Sequence, residues 1–519
     1  MGEKEFLARL GFQANPFQFT NADEEEHLQS YFVPPPYFDS VWGDPNRPVS
    51  QVIFAPRGGG KSAQRRMLEY RAHRENIFTI TYDRFEHLVP ASLNNLTLEY
   101  HLRNLIRLGL LGFLLEIHER TLSPSSFRRI EREQIDVLCR TYIGRITKTE
   151  ALEAIKSLRT LSAKARTFLR DWAGPAGSLA SMILKAKGLG PLNLKTGPTD
   201  EAPPVPDELP TKLHLEIVCD LLRSIGYRSV FILVDKVDEA TITGNNAEHA
   251  FALIKPLLRD LELLQIPGIG FKFFLWDRLE TYYREFARPD RVQQFSLSWE
   301  RSQITEMLSR RLAAFSGGRV KDLSNLTDAK LAKPLQYLVV LFAFGSPRDM
   351  IRICQEILSE QLRLDPSSER FGVGAIIEGI LKFSKQRAQE VAGPDAIREL
   401  MKIGRVDFTA NFIANKIFKI NVNSARTKIS HWVEKGIVER VGEQRTGSRP
   451  VHHYAISDIR VARAILGEMD FVEFMEGKTL YCVNCSKLLL RDCDIQKHHT
   501  CHHCGTEQRS PEEAANDDS

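Results

Sequence analysis

A short apolar run that leads into a glycine-rich loop is the feature that most restricts how this chain can fold. Residues 51–54 (Gln-Val-Ile-Phe) predict a buried strand, and residue 62 onward predicts a helix. The eight residues at 55–62, Ala-Pro-Arg-Gly-Gly-Gly-Lys-Ser, fit the pattern G-x-x-x-x-G-K-[ST] except at Ala55. Glycines let backbone N–H groups surround a phosphate, and the following helix presents its positive end to it. The pattern therefore predicts a phosphate-binding loop.

The residues of this loop have separate expected tasks. Lys61 would reach the β- and γ-phosphates of ATP, and Ser62 would be a ligand of Mg²⁺. The residues predicted to contact the nucleotide are Arg57, Gly58, Gly59, Gly60, Lys61 and Ser62. A chance glycine turn is the alternative, and the flanking strand and helix argue against it.

A second apolar strand ends in acidic residues. Residues 231–239 are Phe-Ile-Leu-Val-Asp-Lys-Val-Asp-Glu, so Asp235 follows the strand directly and is expected near the same Mg²⁺. Because Lys236 comes next, the residue that positions water for ATP hydrolysis would be Asp238 or Glu239, and the sequence leaves both open. An ordinary strand ending in a polar turn is the alternative.

Strands that alternate with helices, each strand continuously apolar, predict an α/β fold with a parallel sheet covered on both faces. The domain boundaries follow from shifts in pattern and composition along the chain. The expected parts are a lead-in that packs on the core (1–50), a core (51–300) with a helical insert (97–210), a helical lid (301–390), a helix-rich module (395–465), a cysteine segment (478–506) and a disordered acidic tail (507–519).

The acidic strand motif resembles the signal-transduction and archaeal-type branch of the AAA+/STAND P-loop ATPases. Residues 270–278 resemble the sensor strand of that group, and residues 345–350 (Gly-Ser-Pro-Arg-Asp-Met) resemble the second sensor of its lid, as in origin-recognition and helicase-loader ATPases. The resemblance covers about residues 45–385, interrupted by the insert.

This resemblance implies further roles. Arg348 would contact the γ-phosphate, and one of Arg278, Arg288 and Arg291 would act across a subunit contact, unless these arginines form only local ion pairs. It also implies an ATP-driven switch or motor that acts on DNA or a nucleoprotein, as a homo-oligomer or with partner proteins. Prokaryotic antiviral defence is one setting of this architecture. A regulatory scaffold that binds nucleotide with little turnover is the competing interpretation.

The module at 395–465 predicts three helices (396–400, 409–418 and 423–435) and two strands (437–441 and 452–456), which resembles a winged helix-turn-helix. Asn423 would cap the third helix. One face of that helix, predicted to be buried, carries Ala425, Ile429, Trp432 and Val433. In DNA-binding members the third helix enters the major groove and the wing contacts the backbone. The implied contacts to double-stranded DNA are Arg426, Lys428, His431, Arg445 and Arg449. A protein-contact module is the alternative.

Two cysteine pairs occur near the C-terminus. Cys482 and Cys485 are followed by Cys501 and Cys504, each pair in a C-x₂-C spacing typical of a zinc ribbon. Four thiolates form a closed tetrahedral shell, so the pattern predicts one structural Zn²⁺. A redox pair is the alternative.

Composition excludes some other classes. Seventy Lys and Arg residues against sixty-six Asp and Glu leave a net charge of +4, which gives no whole-chain argument for nucleic acid or membrane binding. The N-terminus has no secretory signal pattern, and the most apolar run is too short to span a bilayer. A cytoplasmic location with no membrane partner is the expectation.

Overall fold

The computed structural model describes residues 2–85, 93, 96–120, 127–143, 148–162, 164, 167–168, 170, 183–184, 210–446, 449–492 and 498–509. The composition of residues 187–210 predicts a linker, and all of it except Pro210 lies outside these residues, as does the tail beyond residue 509. Glu507–Arg509, assigned to the disordered tail above, form a strand instead.

The strands are, in chain order, β1 (Gln51–Ala55), β2 (Phe78–Tyr82), β3 (Val230–Val234), β4 (Ile269–Trp276), β5 (Gln293–Ser296), β6 (Asp407–Thr409), β7 (Val438–Thr446), β8 (Arg449–Ile456), β9 (Thr479–Tyr481), β10 (Leu488–Leu490), β11 (His498–Thr500) and β12 (Glu507–Arg509).

The described α-helices are α1 (Glu3–Arg9), α2 (Leu28–Tyr31), α3 (Phe38–Trp42), α4 (Lys61–Arg74), α5 (Leu98–Glu119), α6 (Arg129–Leu138), α7 (Lys148–Lys156), α8 (Thr211–Ser224), α9 (Ala247–Arg259), α10 (Leu261–Leu264), α11 (Glu280–Phe286), α12 (Arg301–Ser316), α13 (Leu335–Ala343), α14 (Pro347–Leu364), α15 (Val373–Ala392), α16 (Pro394–Ile403), α17 (Ala410–Phe412), α18 (Val422–Glu434), α19 (Ile459–Ile465) and α20 (Phe471–Gly477). No described helix is long and apolar enough to cross a membrane.

A five-stranded sheet in the order β2-β3-β4-β1-β5 forms the centre of one compact unit, which comprises Asn21–Gln29 and Pro34–Ser298. All its strand pairs are parallel, so every carboxyl end lies at the same edge. The mixed α/β fold with a parallel sheet is confirmed. β1, β2, β3 and β4 are buried along their whole length, as their apolar sequences predict. β5 was not predicted, because its sequence Gln-Gln-Phe-Ser is polar and partly exposed.

The described part of the insert is helical, and its long helix α5 packs closely on the sheet. A Cβ at Gly112 would lie 2.3 Å from the ring of Phe78 in β2, and a Cβ at Gly109 would lie 2.6 Å from Val218 in α8. Only glycine permits this distance between α5 and its neighbours. The two glycines therefore fix the position of α5.

The other compact unit comprises Met1–Thr20, Ser30–Val33 and Trp299–Ser519. The first twenty residues were expected to pack on the core, but they belong to this unit. The ring of Phe6 in α1 lies 5.4 Å from that of Phe371, and the Gln13 N–H donates to the Phe315 carbonyl at 2.8 Å. Helices dominate residues 301–392, as predicted.

The module that follows contains α16, β6, α17, a π-helical turn (Ile413–Phe418), α18, β7 and β8, with an antiparallel sheet in the order β6-β8-β7. Four details of the prediction are wrong. The cap of α18 is Asn421, whose side chain accepts from the Ser424 N–H, and not Asn423. Val433 is 40% exposed. β7 and β8 also continue into the 442–449 segment that was expected to be a loop, and β6 was not predicted.

Candidate functional site

The glycine loop joins the carboxyl end of β1 to the first turn of α4. Gly58 and Gly60 have φ angles of 76° and 94°, which favour glycine, and a Cβ at Gly59 would lie 2.9 Å from the Pro56 carbonyl oxygen. Ala55 is the last residue of β1 and its side chain is fully buried, so a strand residue occupies the first position of the pattern. The loop therefore needs its three glycines.

Lys61 lies buried at the start of α4. Its ammonium donates to the carbonyls of Ala55 at 3.2 Å and Pro56 at 3.3 Å. Burial lowers the pKa of Lys61, while the carboxylates of Asp238, Asp235 and Asp277 act in the opposite direction. The loop lysine is thus surrounded by acidic groups from the ends of β3 and β4. Asp277 lies within residues 270–278, which resemble a sensor strand, but it was not predicted to be a site residue.

Asp235 is 1% exposed and both its oxygens are engaged. One accepts from Arg65 Nε at 2.9 Å, and the other accepts from the Lys236 backbone N–H at 2.9 Å. Arg65 belongs to α4, one turn after Lys61, and its side chain is fully buried. The predicted Mg²⁺ ligand is therefore oriented by an arginine of the loop helix, whereas Ser62 lies half-buried in the first turn of α4.

Asp238 and Glu239 lie in different environments. Asp238 is 2% exposed and accepts from Arg57 Nε at 2.8 Å, and its carbonyl accepts from Arg57 Nη2 at 3.1 Å. The guanidinium of Arg57 also lies 4.0 Å from the ring centroid of Trp276. Glu239 is exposed. Arg57, predicted to contact nucleotide, links the glycine loop to Asp238.

A buried network of charges surrounds Arg65, and sequence reasoning missed it. Arg65 also bonds to Glu69 and to Asp23 of the short helical turn Ala22–Glu24. Asp23 in turn accepts from Arg159 at 2.6 Å and from Lys236 at 2.6 Å. Burial alone would raise the pKa of Asp23, but Arg65, Arg159 and Lys236 hold it below its usual value. Only the Arg65–Glu69 spacing of four residues was visible in the sequence.

The arginines proposed for a subunit contact have local partners. Arg288 pairs with Asp290 at 2.7 Å, and Arg291 lies 3.6 Å from the same carboxylate. The guanidinium of Arg278 lies 5.1 Å from the ring of Trp276. Arg348 is half-buried in the first turn of α14, which Ser346 caps by accepting from the Asp349 N–H. Its role at the nucleotide stays a prediction.

The residues predicted to contact DNA differ in availability. Arg426 and His431 are exposed on α18. Lys428 is half-buried and forms an ion pair with Glu399 of α16. Arg445 of β7 is paired with Pro450 near the end of the β7–β8 hairpin, and Arg449 is the first residue of β8. The side chains of Arg445 and Arg449 lie outside the part of the chain that the structure describes.

The four cysteines converge from two short hairpins, β9–β10 and β11–β12. The sulfur of Cys482 lies 3.5 Å from that of Cys504, and the sulfur of Cys485 lies 3.7 Å from that of Cys501. Sulfurs that share a tetrahedral Zn²⁺ at about 2.3 Å lie about 3.8 Å apart, so the four residues fit this ion. A fifth cysteine, Cys493, lies between the two pairs in sequence and is not a predicted ligand; it falls outside the described residues.

No protein-family model matches this chain, and no curated protein matches it. Two similar solved structures are an Aeropyrum pernix ORC1 protein in complex with DNA and an Aeropyrum pernix ORC2 protein in ADPNP–ADP complexes. The ORC1 protein is 10% identical, with 87% of this chain and 97% of that chain covered and a TM-score of 0.33. The ORC2 protein is 10% identical, with 86% and 99% covered and a TM-score of 0.37. Similarity at this level assigns no role to any residue of this chain.

Proposed function

We propose that this chain binds ATP with Mg²⁺ at the carboxyl edge of its parallel sheet and hydrolyses it, as an AAA+-type ATPase. The observation that carries the proposal is the convergence of Lys61, at the end of a loop that requires glycine, with Asp235 and Asp238 from the segment after β3. Ligand sites of open parallel sheets occur at this edge.

The donor set fits a magnesium nucleotide. Lys61 would contact the phosphates, and Ser62 and Asp235 would hold Mg²⁺, which prefers oxygen ligands and would neutralise phosphate charge when bound. Arg65 orients the Asp235 carboxylate through one oxygen.

Asp238 is our choice over Glu239 for the residue that positions water. Asp238 is buried and held by Arg57, whereas Glu239 is exposed. A carboxylate with a fixed orientation loses less entropy when it aligns water, so the Arg57–Asp238 pair supports the assignment.

The test is a comparison of Asp238→Asn with Glu239→Gln. We expect both variants to bind ATP as the wild type does, measured by calorimetry, and only Asp238→Asn to lose most of the steady-state turnover. Loss of turnover in Glu239→Gln alone would show that the other carboxylate positions water.

The scaffold with little turnover has its own supporting observation. Asp235 and Asp238 each accept from an arginine, Arg65 and Arg57, so neither carboxylate is available without competition. Tight ATP binding with no hydrolysis in the wild type, with or without double-stranded DNA, would favour the scaffold.

We further propose that residues 394–456 form a winged helix whose α18 contacts double-stranded DNA. Arg426 and His431 are exposed on α18, which supports a contact between this helix and DNA. Arg426→Ala should lower the salt dependence of DNA binding, since each lost phosphate contact reduces the slope of log K against log salt by about 0.9. Lys428→Ala is the control, because Glu399 already neutralises that ammonium. Equal slopes for Arg426→Ala and the wild type would indicate a protein-contact module.

The four-cysteine cluster is proposed to hold one structural Zn²⁺ through Cys482, Cys485, Cys501 and Cys504. Four protein ligands leave no open position, so this ion would stabilise the two hairpins and take no part in catalysis.

A further inference from the structure

A second group of metal-binding side chains lies beside the cysteine cluster. Glu439 is in β7, and His502 and His503 lie between Cys501 and Cys504. One donor atom from each of the three residues falls within 4.8 Å of the others. Two histidines and a carboxylate are a common ligand set for Zn²⁺.

The contact between Glu439 and His502 has the separation expected of two ligands. Glu439 Oε1 lies 3.2 Å from His502 Nε2. Among the described residues, neither ring nitrogen of His502 has a hydrogen-bond partner, although both are shielded from solvent. Two donor atoms bound to one tetrahedral Zn²⁺ at about 2.0–2.1 Å lie about 3.3 Å apart. The pair is thus spaced for a shared ion but not aligned for a hydrogen bond.

We propose that Glu439, His502 and His503 bind a second Zn²⁺, separate from the one in the four-cysteine cluster and with its fourth position open to water. The ion would connect the second cysteine pair to β7 of the antiparallel sheet. Shielded ring nitrogens without partners carry a desolvation cost, and a metal bond would remove that cost for one of them.

An imidazolium–carboxylate ion pair is the other explanation of the short distance, and zinc content distinguishes the two. Protein equilibrated with Zn²⁺ and then dialysed should contain two zinc ions per chain, and Glu439→Gln should contain one. His503→Asn should also contain one, which keeps the test valid if the first variant folds poorly.

Glu443→Gln is the matched control. Glu443 lies on the same strand, 3.4 Å from His452, in a pair that forms no metal-binding group among the described residues. This variant should retain two zinc ions. Cobalt substitution gives a second readout, because thiolate-to-cobalt charge-transfer absorption should persist in Glu439→Gln while the weaker bands of the nitrogen–oxygen site disappear.

A wild type with one zinc ion, or Glu439→Gln with two, would overturn the proposal and leave an ion pair. A wild type without zinc would overturn the four-cysteine assignment as well. Loss of both ions in Glu439→Gln and His503→Asn would show that the three residues do not form a separate site.

Discussion

The carboxyl edge of the parallel sheet and the cysteine segment both concentrate ionisable groups, but they differ in where those groups come from. The four cysteines lie within one stretch of chain, Cys482 to Cys504. The carboxyl edge instead combines Asp23, Arg65, Arg159 and Asp235, which are far apart in sequence. A local cluster can be recognised from spacing alone, whereas charges that compensate one another across a fold become visible only when the fold is known.

The cysteine segment should depend entirely on its ion, and this gives the largest expected effect. Cys485→Ser should lose the four-cysteine zinc and expose residues 478–506 to protease, because structural zinc contributes about 10–16 kcal/mol to such segments. Elemental analysis and limited proteolysis measure both. ATP affinity should stay at the wild-type value. Retained zinc in Cys485→Ser together with zinc lost in Cys493→Ser would contradict the ligand assignment.

The contrast between the two regions also shows what the sequence could and could not predict. β1, β3 and β4 were predicted because each is continuously apolar, and the glycine loop because its residues are consecutive. β5 was missed because an edge strand needs no apolar run. A strand was therefore predicted where its own residues are enough to indicate burial, and missed where they are not.

The partners of the site residues were less predictable than the residues themselves. Nothing in the sequence pairs Asp23 with Arg65, or Arg57 with Asp238, because these contacts depend on the order of strands in the sheet. Helical spacing places Val433 on the buried face of α18, but Val433 is 40% exposed. The buried face is therefore narrower than the spacing predicts. Residue types were thus predicted better than their contacts.

The buried charge network should be sensitive to the loss of one member. Arg65→Met removes the cation that Asp23, Glu69 and Asp235 share, so the free energy of unfolding should fall by about 3–5 kcal/mol. Arg71→Met on the same helix is the control, since the side chains in its pairs with Asp39 and Glu75 are each at least about one-third exposed and the pairs contribute at most about 1 kcal/mol. Chemical denaturation measures both. Similar losses in the two variants would mean that the network is not a special source of stability.

The carboxyl edge of the sheet should lose the proposed ligand, ATP, without losing its fold. Lys61→Ala removes the ammonium from the glycine loop, so ATP affinity should fall at least about 100-fold, or about 2.7 kcal/mol. Isothermal titration calorimetry measures the affinity, and zinc content should be unchanged. An unaltered ATP affinity would rule out the phosphate-binding role of the loop.

The smallest expected effect concerns a pair of acids next to the cysteine segment. Burial, with a further contribution from Asp492, raises the pKa of Asp407 in β6 to about 6. An unfolded aspartate titrates near pH 4. Between these values the folded chain holds the proton more tightly, so this group lowers the free energy of unfolding as pH rises from 4 to 6.

Asp407→Asn removes that penalty. At pH 7 its free energy of unfolding should exceed that of the wild type by about 3 kcal/mol, and the difference should largely vanish near pH 4. Asp395→Asn is the control, because that carboxylate is 87% exposed. Denaturation curves at the two pH values decide the matter. A constant difference across pH would show that Asp407 is not the titrating group.

The strand order has a consequence for how the protein is made. β1 has two neighbours in the sheet, β4 and β5, and both are more than 200 residues further along the chain. At about 5–20 residues per second, a ribosome needs on the order of ten to forty seconds to synthesise that interval. During this time β1 and its glycine loop have emerged, but neither edge of the strand can be paired. The nascent chain therefore carries an apolar strand with free edges, the kind of surface that chaperones protect, until β5 has left the exit tunnel.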